Sequence, residues 1–231
     1  MRLILIRHAE SEHARRGVIA DVRGCTGLTD RGIEQARGLA HHLTLPESME
    51  QRRRRAGHRG LDRYDALLSS PVLRARQTAD ALAAVLPGLR MEEDEGLCEV
   101  RPGEADGLTW EAYRSRYGAF DLVAEPDRPF SPGGESWNAF TTRVRATLDR
   151  LAHQFDGGTV VAVTHAGFIV ASVLVAFGIP RPGTRARLDP RHTSLTEWRF
   201  ADGIWQLERY NDVCHLGTES WPGVVLAPPD R

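Results

Sequence analysis

Arg2-Leu3-Ile4-Leu5-Ile6-Arg7-His8-Ala9-Glu10-Ser11 decides the reading of this 231-residue chain. Arg2 to Arg7 holds an unbroken apolar run and lacks the alternation of a half-exposed strand. That pattern suits a strand in a sheet covered on both faces, here ending on a guanidinium and an imidazole. Thr159 to Thr164 repeats the pattern and ends at His165. Ala66 to Ser69 repeats it more briefly, ending at Ser70 just ahead of Arg74.

Helical patterns separate these runs. Leu28-Thr29-Asp30-Arg31-Gly32 opens a helix behind a Thr29 or Asp30 cap, with Ile33, Ala36, Ala40 and Leu43 at helical spacing. Val72 to Leu86 is a second helix, with Pro71 in its first turn. Ser136 precedes a third, in which Phe140, Val144, Leu148, Leu151 and Phe155 share a face until Asp156-Gly157-Gly158 stops it. Gly167 to Phe177 is apolar on nearly all sides and is expected to be buried. Leu195 to Phe200 and Ile204 to Tyr210, joined across Ala201-Asp202-Gly203, read as an antiparallel hairpin. Together these elements predict a three-layer α/β/α sandwich with a mainly parallel central sheet and a C-terminal antiparallel hairpin, as one domain over residues 1–231. Residues 46–63 are an Arg-rich insertion whose Arg52 to Arg55 run reads as part of a solvated or disordered segment in preference to an anion-binding patch. Residues 100–136, with a short helix around Trp110 to Tyr117, read as a lid-like excursion able to cover a site.

Thirty basic and 31 acidic side chains nearly cancel, so no global field argues for nucleic acid or a membrane surface. No apolar stretch approaches the roughly 20 residues of a membrane span, and the run before Arg7 is too short for a signal-peptide core. Cys25, Cys98 and Cys214 form no CxxC pair and leave one odd, which is expected of reduced thiols in a cytoplasmic protein. No ligand cluster for a metal and no cofactor motif is present, and the oligomeric state stays open, with a homodimer one option.

In parallel sheets ligands sit beyond the carboxyl ends of the strands. That rule gathers Arg7, His8, Arg74 and His165 into one crevice. Arginine forks match phosphoryl oxygens, and an imidazole held through one nitrogen can attack phosphorus with the other. A leaving alkoxide then needs a proton, for which Glu99 is the candidate acid, with Glu95 and Glu104 as substitutes. Arg76 is the rival of Arg74. His41, His42, His58, His153 and His192 fall on expected surface or loop positions, His215 is expected to hydrogen-bond within the core, and Cys98 is read as structural.

Leu5-Ile6-Arg7-His8-Ala9-Glu10-Ser11 resembles the R-H-G-E signature of the histidine phosphatase superfamily, the phosphoglycerate-mutase-like proteins. Further stretches match in order: Leu28 to Gly32, Ser69 to Ala79, Leu97-Cys98-Glu99 with Gly107 to Trp110, Val163-Thr164-His165-Ala166-Gly167, and Asn211 to Leu216 near the end. The resemblance implies a metal-independent phosphatase acting on a small phosphorylated metabolite. By it His8 is the phosphorylated residue and Glu99 the proton donor, while Arg7, Arg74 and His165 hold the phosphoryl group. Substrate contacts fall to Arg7, Ser11, Arg74 and Ala166. Ala14 stands where many members place an asparagine, so that donor is either missing or supplied by Ser11 or His13. Pro102 departs from the family pattern after the acid, and Pro132-Gly133-Gly134-Glu135-Ser136 follows it as loop and helix-cap architecture. A cofactor-dependent mutase is the runner-up, disfavoured by the acidic Glu104, Asp106 and Glu111. A non-catalytic module binding phosphorylated ligands is the alternative outside enzymes.

Overall fold

A computed structural model describes residues 1–44, 64–86, 88–119, 121, 124–179 and 186–216. The Arg-rich insertion, including Arg52 to Arg55 and His58, lies outside the described residues. The elements in chain order are β1 (Arg2–Arg7), α1 (Glu12–Arg15), α2 (Asp30–Thr44), β2 (Ala66–Ser69), α3 (Leu73–Ala83) and β3 (Met91–Glu93). They continue with α4 (Trp110–Tyr117), α5 (Trp137–Gln154), β4 (Thr159–Thr164), α6 (Ala166–Ala176), β5 (Leu195–Ala201) and β6 (Ile204–Asp212). The sheet order is β3-β2-β4-β1-β5-β6. β1, β2, β3 and β4 run parallel, and β5 and β6 are antiparallel additions on the β1 edge.

The two-residue periodicity of the strands sorts β1 into two cores. Leu3 and Leu5 pack with Leu68, Val160 and Ala162 against Phe140, Val144 and Leu148 of α5 and Phe168 and Ile169 of α6. Ile4 and Ile6 point the other way, with Leu67, Val161 and Val163, onto Leu39 and Leu43 of α2 and Ala75 and Leu82 of α3. This is the expected α/β/α layering, and it explains why β1 and β4 carry no polar alternation. In the hairpin turn, Asp202 and Gly203 have φ of 53° and 78°, the positive pair that a tight hairpin requires.

The structure corrects or sharpens the sequence reading at five points. Ile33 is exposed rather than on the inner stripe of α2; Gly32 and Leu39 take the buried positions instead. Thr29 is the cap: its Oγ1 accepts from Gly32 N at 2.9 Å and donates to Glu10 Oε1 at 2.9 Å, so α2 docks end-on against the loop after β1. Pro71 precedes α3, which starts at Leu73 behind Val72 as cap. β3 has no counterpart in the sequence reading. Of the stretch Gly167 to Phe177 expected to be buried, the C-cap residue Phe177 is exposed.

Candidate active site

Strand register builds the site before any side chain is considered. Arg7 pairs with Thr164 across β1 and β4, and Ser69 pairs with Val163 across β2 and β4. The next residue of each strand, His8, His165 and Ser70, therefore falls in one row beyond the sheet. The backbone continues the ladder for one step, His8 N donating to Thr164 O and Ser70 N to Val163 O, both at 2.9 Å. Arg74 enters this row from the first turn of α3 and is 2% exposed.

Arg74 connects the two imidazoles. Its Nε donates to His8 Nε2 at 3.1 Å, its Nη2 to His165 Nδ1 at 3.0 Å and its Nη1 to Ala20 O at 3.0 Å. These contacts assign the tautomers. His8 accepts at Nε2 and donates from Nδ1 to Ala9 O at 2.7 Å. His165 accepts at Nδ1 and donates from Nε2 to Ser70 Oγ at 2.8 Å, and Ser70 in turn reaches Cys98 Sγ. Burial, with Arg74 next in weight, pushes both imidazoles well below the ordinary histidine value, so both are neutral at pH 7. Arg7 is largely buried; its Nη1 donates to Pro190 O at 2.5 Å, and its Nε is buried with no hydrogen-bond partner. A buried donor left without an acceptor is costly, and this one stands beside His8.

The row opens into a cavity of about 530 Å³. Arg7, His8, His13, Arg74 and Glu99 supply its polar floor, with Ala166 and Gly167 at the start of α6. Glu99 Oε2 accepts from Gly167 N at 2.8 Å, and its Oε1 accepts from Val100 N at 3.0 Å. The loop carrying Glu99 is clamped from behind by Arg143 of α5, which donates to the carbonyls of Gly96, Cys98 and Glu99 at 2.7, 3.0 and 3.0 Å. Arg143 is itself paired with Glu135 at 2.7 Å, and both side chains are mostly buried.

Arg7, His8, Arg74, Glu99 and Ala166 thus share the cavity wall. His165 does not reach it: the ring is fully buried and touches His8 edge-on, with centroids 5.1 Å apart. Ser11 is buried away from the cavity, its Oγ on His13 Nδ1 at 2.9 Å, and His13 lines the wall instead. The rivals stand elsewhere. Arg76 pairs with Glu93, Glu95 with Arg101, and Glu104 with Arg116, all at the exposed surface. Cys98 is buried beside Ser70, and burial pushes its thiol up to about 11, consistent with an inert thiol.

His192 is not a surface residue. It packs 5.8 Å from His8, and burial followed by Arg7 lowers it to about 3. Its neighbour Thr193, with φ of 58°, turns the chain so that Thr193 N donates to Arg7 O at 2.9 Å. His215 hydrogen-bonds Thr193 Oγ1 at 3.0 Å, as expected of a packed histidine. Sequence reasoning missed Arg143 and Gly167. The signal for Gly167 is the close approach of Glu99, since a Cβ there would stand 2.0 Å from Oε1; Arg143 carries no local signal. Among the described residues, no group of three or more His, Cys, Asp or Glu is placed to hold a metal ion, and no helix is long and apolar enough to cross a membrane.

The chain is similar to phosphatases and to a phosphoglycerate mutase-like protein. The chain is 27% identical over 219 residues to phosphoglycerate mutase-like protein 4 of Arabidopsis thaliana, covering 93% of this chain and 86% of that one. It is 26% identical over 220 residues to the metal-independent phosphoserine phosphatase of the same plant, covering 94% and 83%. Among solved structures, a histidine-to-alanine mutant of phosphoserine phosphatase from Entamoeba histolytica, in complex with phosphoserine, superposes with a TM-score of 0.69 at 26% identity over 93% of this chain and 98% of that one. The family profile matches residues 3–213, and the chain belongs to the histidine phosphatase superfamily (branch 1).

Proposed function

We propose that this protein is a metal-independent phosphatase that hydrolyses a small phosphomonoester through a phosphohistidine on His8. The observation that carries this reading is the state of His8. The ring is neutral, its Nδ1–H is held by Ala9 O, and its Nε2 lone pair is directed among the donors of Arg74. The incoming phosphoryl group draws the Arg74 Nε–H off His8 Nε2, and the freed lone pair attacks phosphorus; the bond to the leaving oxygen breaks, and that oxygen takes a proton from Glu99 on the same cavity wall. Water then attacks phosphorus and gives its proton to Glu99. The phosphorus–nitrogen bond breaks, and orthophosphate leaves. Arg7 and Arg74 stabilise the equatorial oxygens in both steps, with the unpartnered Arg7 Nε as one donor. His165 positions Arg74 and His8 from behind. The phosphoserine phosphatase names among the relatives support hydrolysis over transfer to a second hydroxyl.

Orthophosphate release from a panel of phosphomonoesters in the presence of a chelator tests this. Intact-mass analysis after rapid quenching should show one added phosphoryl group, absent in His8→Ala. Phosphoglycerate isomerisation without hydrolysis would assign the chain as a mutase. Binding of phosphorylated ligands without labelling or turnover would assign it as a binding module.

A further inference from the structure

Beyond its polar floor the cavity changes character. Val18, Val100, Pro102, Trp110, Phe130 and Trp137 are prominent among its walls, and Arg7 and Arg74 are the only arginines among its described lining residues. Its cations, Arg7 and Arg74, stand at the phosphoryl end, and Glu99 is the carboxylate facing the same space. Trp110 is 45% exposed at the rim. It is nonetheless braced edge-on by Phe130 and Tyr113, each 5.9 Å away between centroids. Phe130 stacks on Tyr113 at 4.6 Å, and the Tyr113 hydroxyl donates to Phe130 O at 2.8 Å. Ile19 and Ala105 complete this small core. The aromatic wall is therefore preformed.

We infer that the substrate is a phosphomonoester whose alcohol is a bulky apolar or aromatic group without a second anionic charge. This rests on the proposed phosphatase function and names the substrate class of the same site. A carboxylate on the alcohol, as in phosphoserine or a phosphoglycerate, would leave water for an apolar wall with no further cation among the described lining and with Glu99 nearby. Burying such a charge unpaired is costly. An aromatic alcohol instead buries its faces against Trp110 and Phe130 and loses no hydrogen bonds.

The test compares phenethyl phosphate with phosphoserine and phosphoglycerate. All of these carry primary or secondary alcohols, so no aryl leaving group favours the apolar substrate. Turnover is measured as kcat/KM. Binding is measured independently by quenching of tryptophan fluorescence with phenylpropylphosphonate and with the phosphonate isostere of phosphoserine. The expected result is a preference for the phenyl compounds on the order of tenfold or more in both measurements, the scale on which pockets separate apolar ligands. Trp110→Ala should shrink that ratio. Equal or better turnover and binding of phosphoserine, or no binding of the phenylpropylphosphonate, overturns the inference and leaves phosphatase function standing if orthophosphate is still released. Preferred binding of the phenyl phosphonate with no hydrolysis of any ester would uphold the ligand class and overturn the phosphatase reading.

Discussion

Replacing Gly167 with alanine should disable the proposed acid without touching it. A Cβ at this position would lie 2.0 Å from Glu99 Oε1 and 2.8 Å from its carboxyl carbon. Ordinary contact begins at 3.4 Å, so the oxygen must retreat by about 1.4 Å. That retreat also strains the 2.8 Å bond from Gly167 N to Glu99 Oε2. A misplacement of this size typically costs about 10²-fold in rate, within the roughly 10²–10⁴-fold that a general acid contributes. The loss should depend on the leaving group. An alkyl phosphate needs the proton and should lose about 10²-fold in kcat. A p-nitrophenyl phosphate departs as a stable anion and should lose much less. Glu99→Gln should give the same leaving-group pattern. Stability should move the other way, because Gly167 lies in the first turn of α6, where alanine is favoured over glycine by up to about 1 kcal/mol. Steady-state kinetics on both esters with a thermal melt for each variant separate these effects. If Gly167→Ala hydrolyses alkyl phosphates at the wild-type kcat, Glu99 is not the proton donor.

Other substitutions probe the frame around it. Arg74→Lys should lower kcat by about 10²-fold or more, because one ammonium cannot replace a fork reaching His8, His165 and Ala20 O together; a near-native kcat would contradict the bridging role. Gly32→Ala should cost about 3 kcal/mol or more, since a Cβ would meet the backbone Glu10 O at 2.0 Å, and denaturant unfolding would show a lowered midpoint. Glu135→Gln should destabilise by about 3 kcal/mol, leaving the mostly buried Arg143 without its ion-pair partner, and should raise KM or lower kcat through the Glu99 loop. Acid should weaken the fold from the ordinary imidazole value downward. Burial holds His13 near about 4, His192 near about 3 and His215 near about 4, against 6.5. Between those values and 6.5 the unfolded chain binds more protons, so the stability these groups supply is full above 6.5 and is lost as pH falls. A urea midpoint that stays constant from neutral pH to about 4.5 would contradict the burial of these rings.

The parts of the site legible in the sequence are those that local pattern encodes. β1 and β4 are readable because both faces are covered and every residue but the last is apolar or a β-branched threonine or terminal arginine. Once two parallel strands are recognised, the residues following them must lie together, so His8 and His165 are brought within reach of each other by backbone alone. β3 is not readable: Met91-Glu92-Glu93 has two exposed carboxylates and exists as a strand through its pairing with β2. His192 looks like a loop residue because its burial comes from the turn at Thr193, which hydrogen-bonds a residue near the other end of the chain. Arg143 looks like an ordinary helix cation, for its acceptors at Gly96, Cys98 and Glu99 are more than forty positions away.

The same distinction separates chemistry from selectivity. The phosphoryl end of the proposed site is built at strand termini and from the first turn of α3, positions set by sheet register. The apolar walls come from Val18 and Val100 in loops, Trp110 at the start of α4, Phe130 in the excursion and Trp137 at the start of α5. Val18 pairs with Thr109 in an isolated antiparallel bridge, and this tie between distant loops brings the rim together. Nothing periodic links these residues, so they read as separate loop and core aromatics until the fold assembles them. Changes in these walls can alter which alcohol is accepted without disturbing the strand register that holds His8, Arg74 and His165. Selectivity is therefore the property that tertiary structure adds to the reaction proposed at the strand ends.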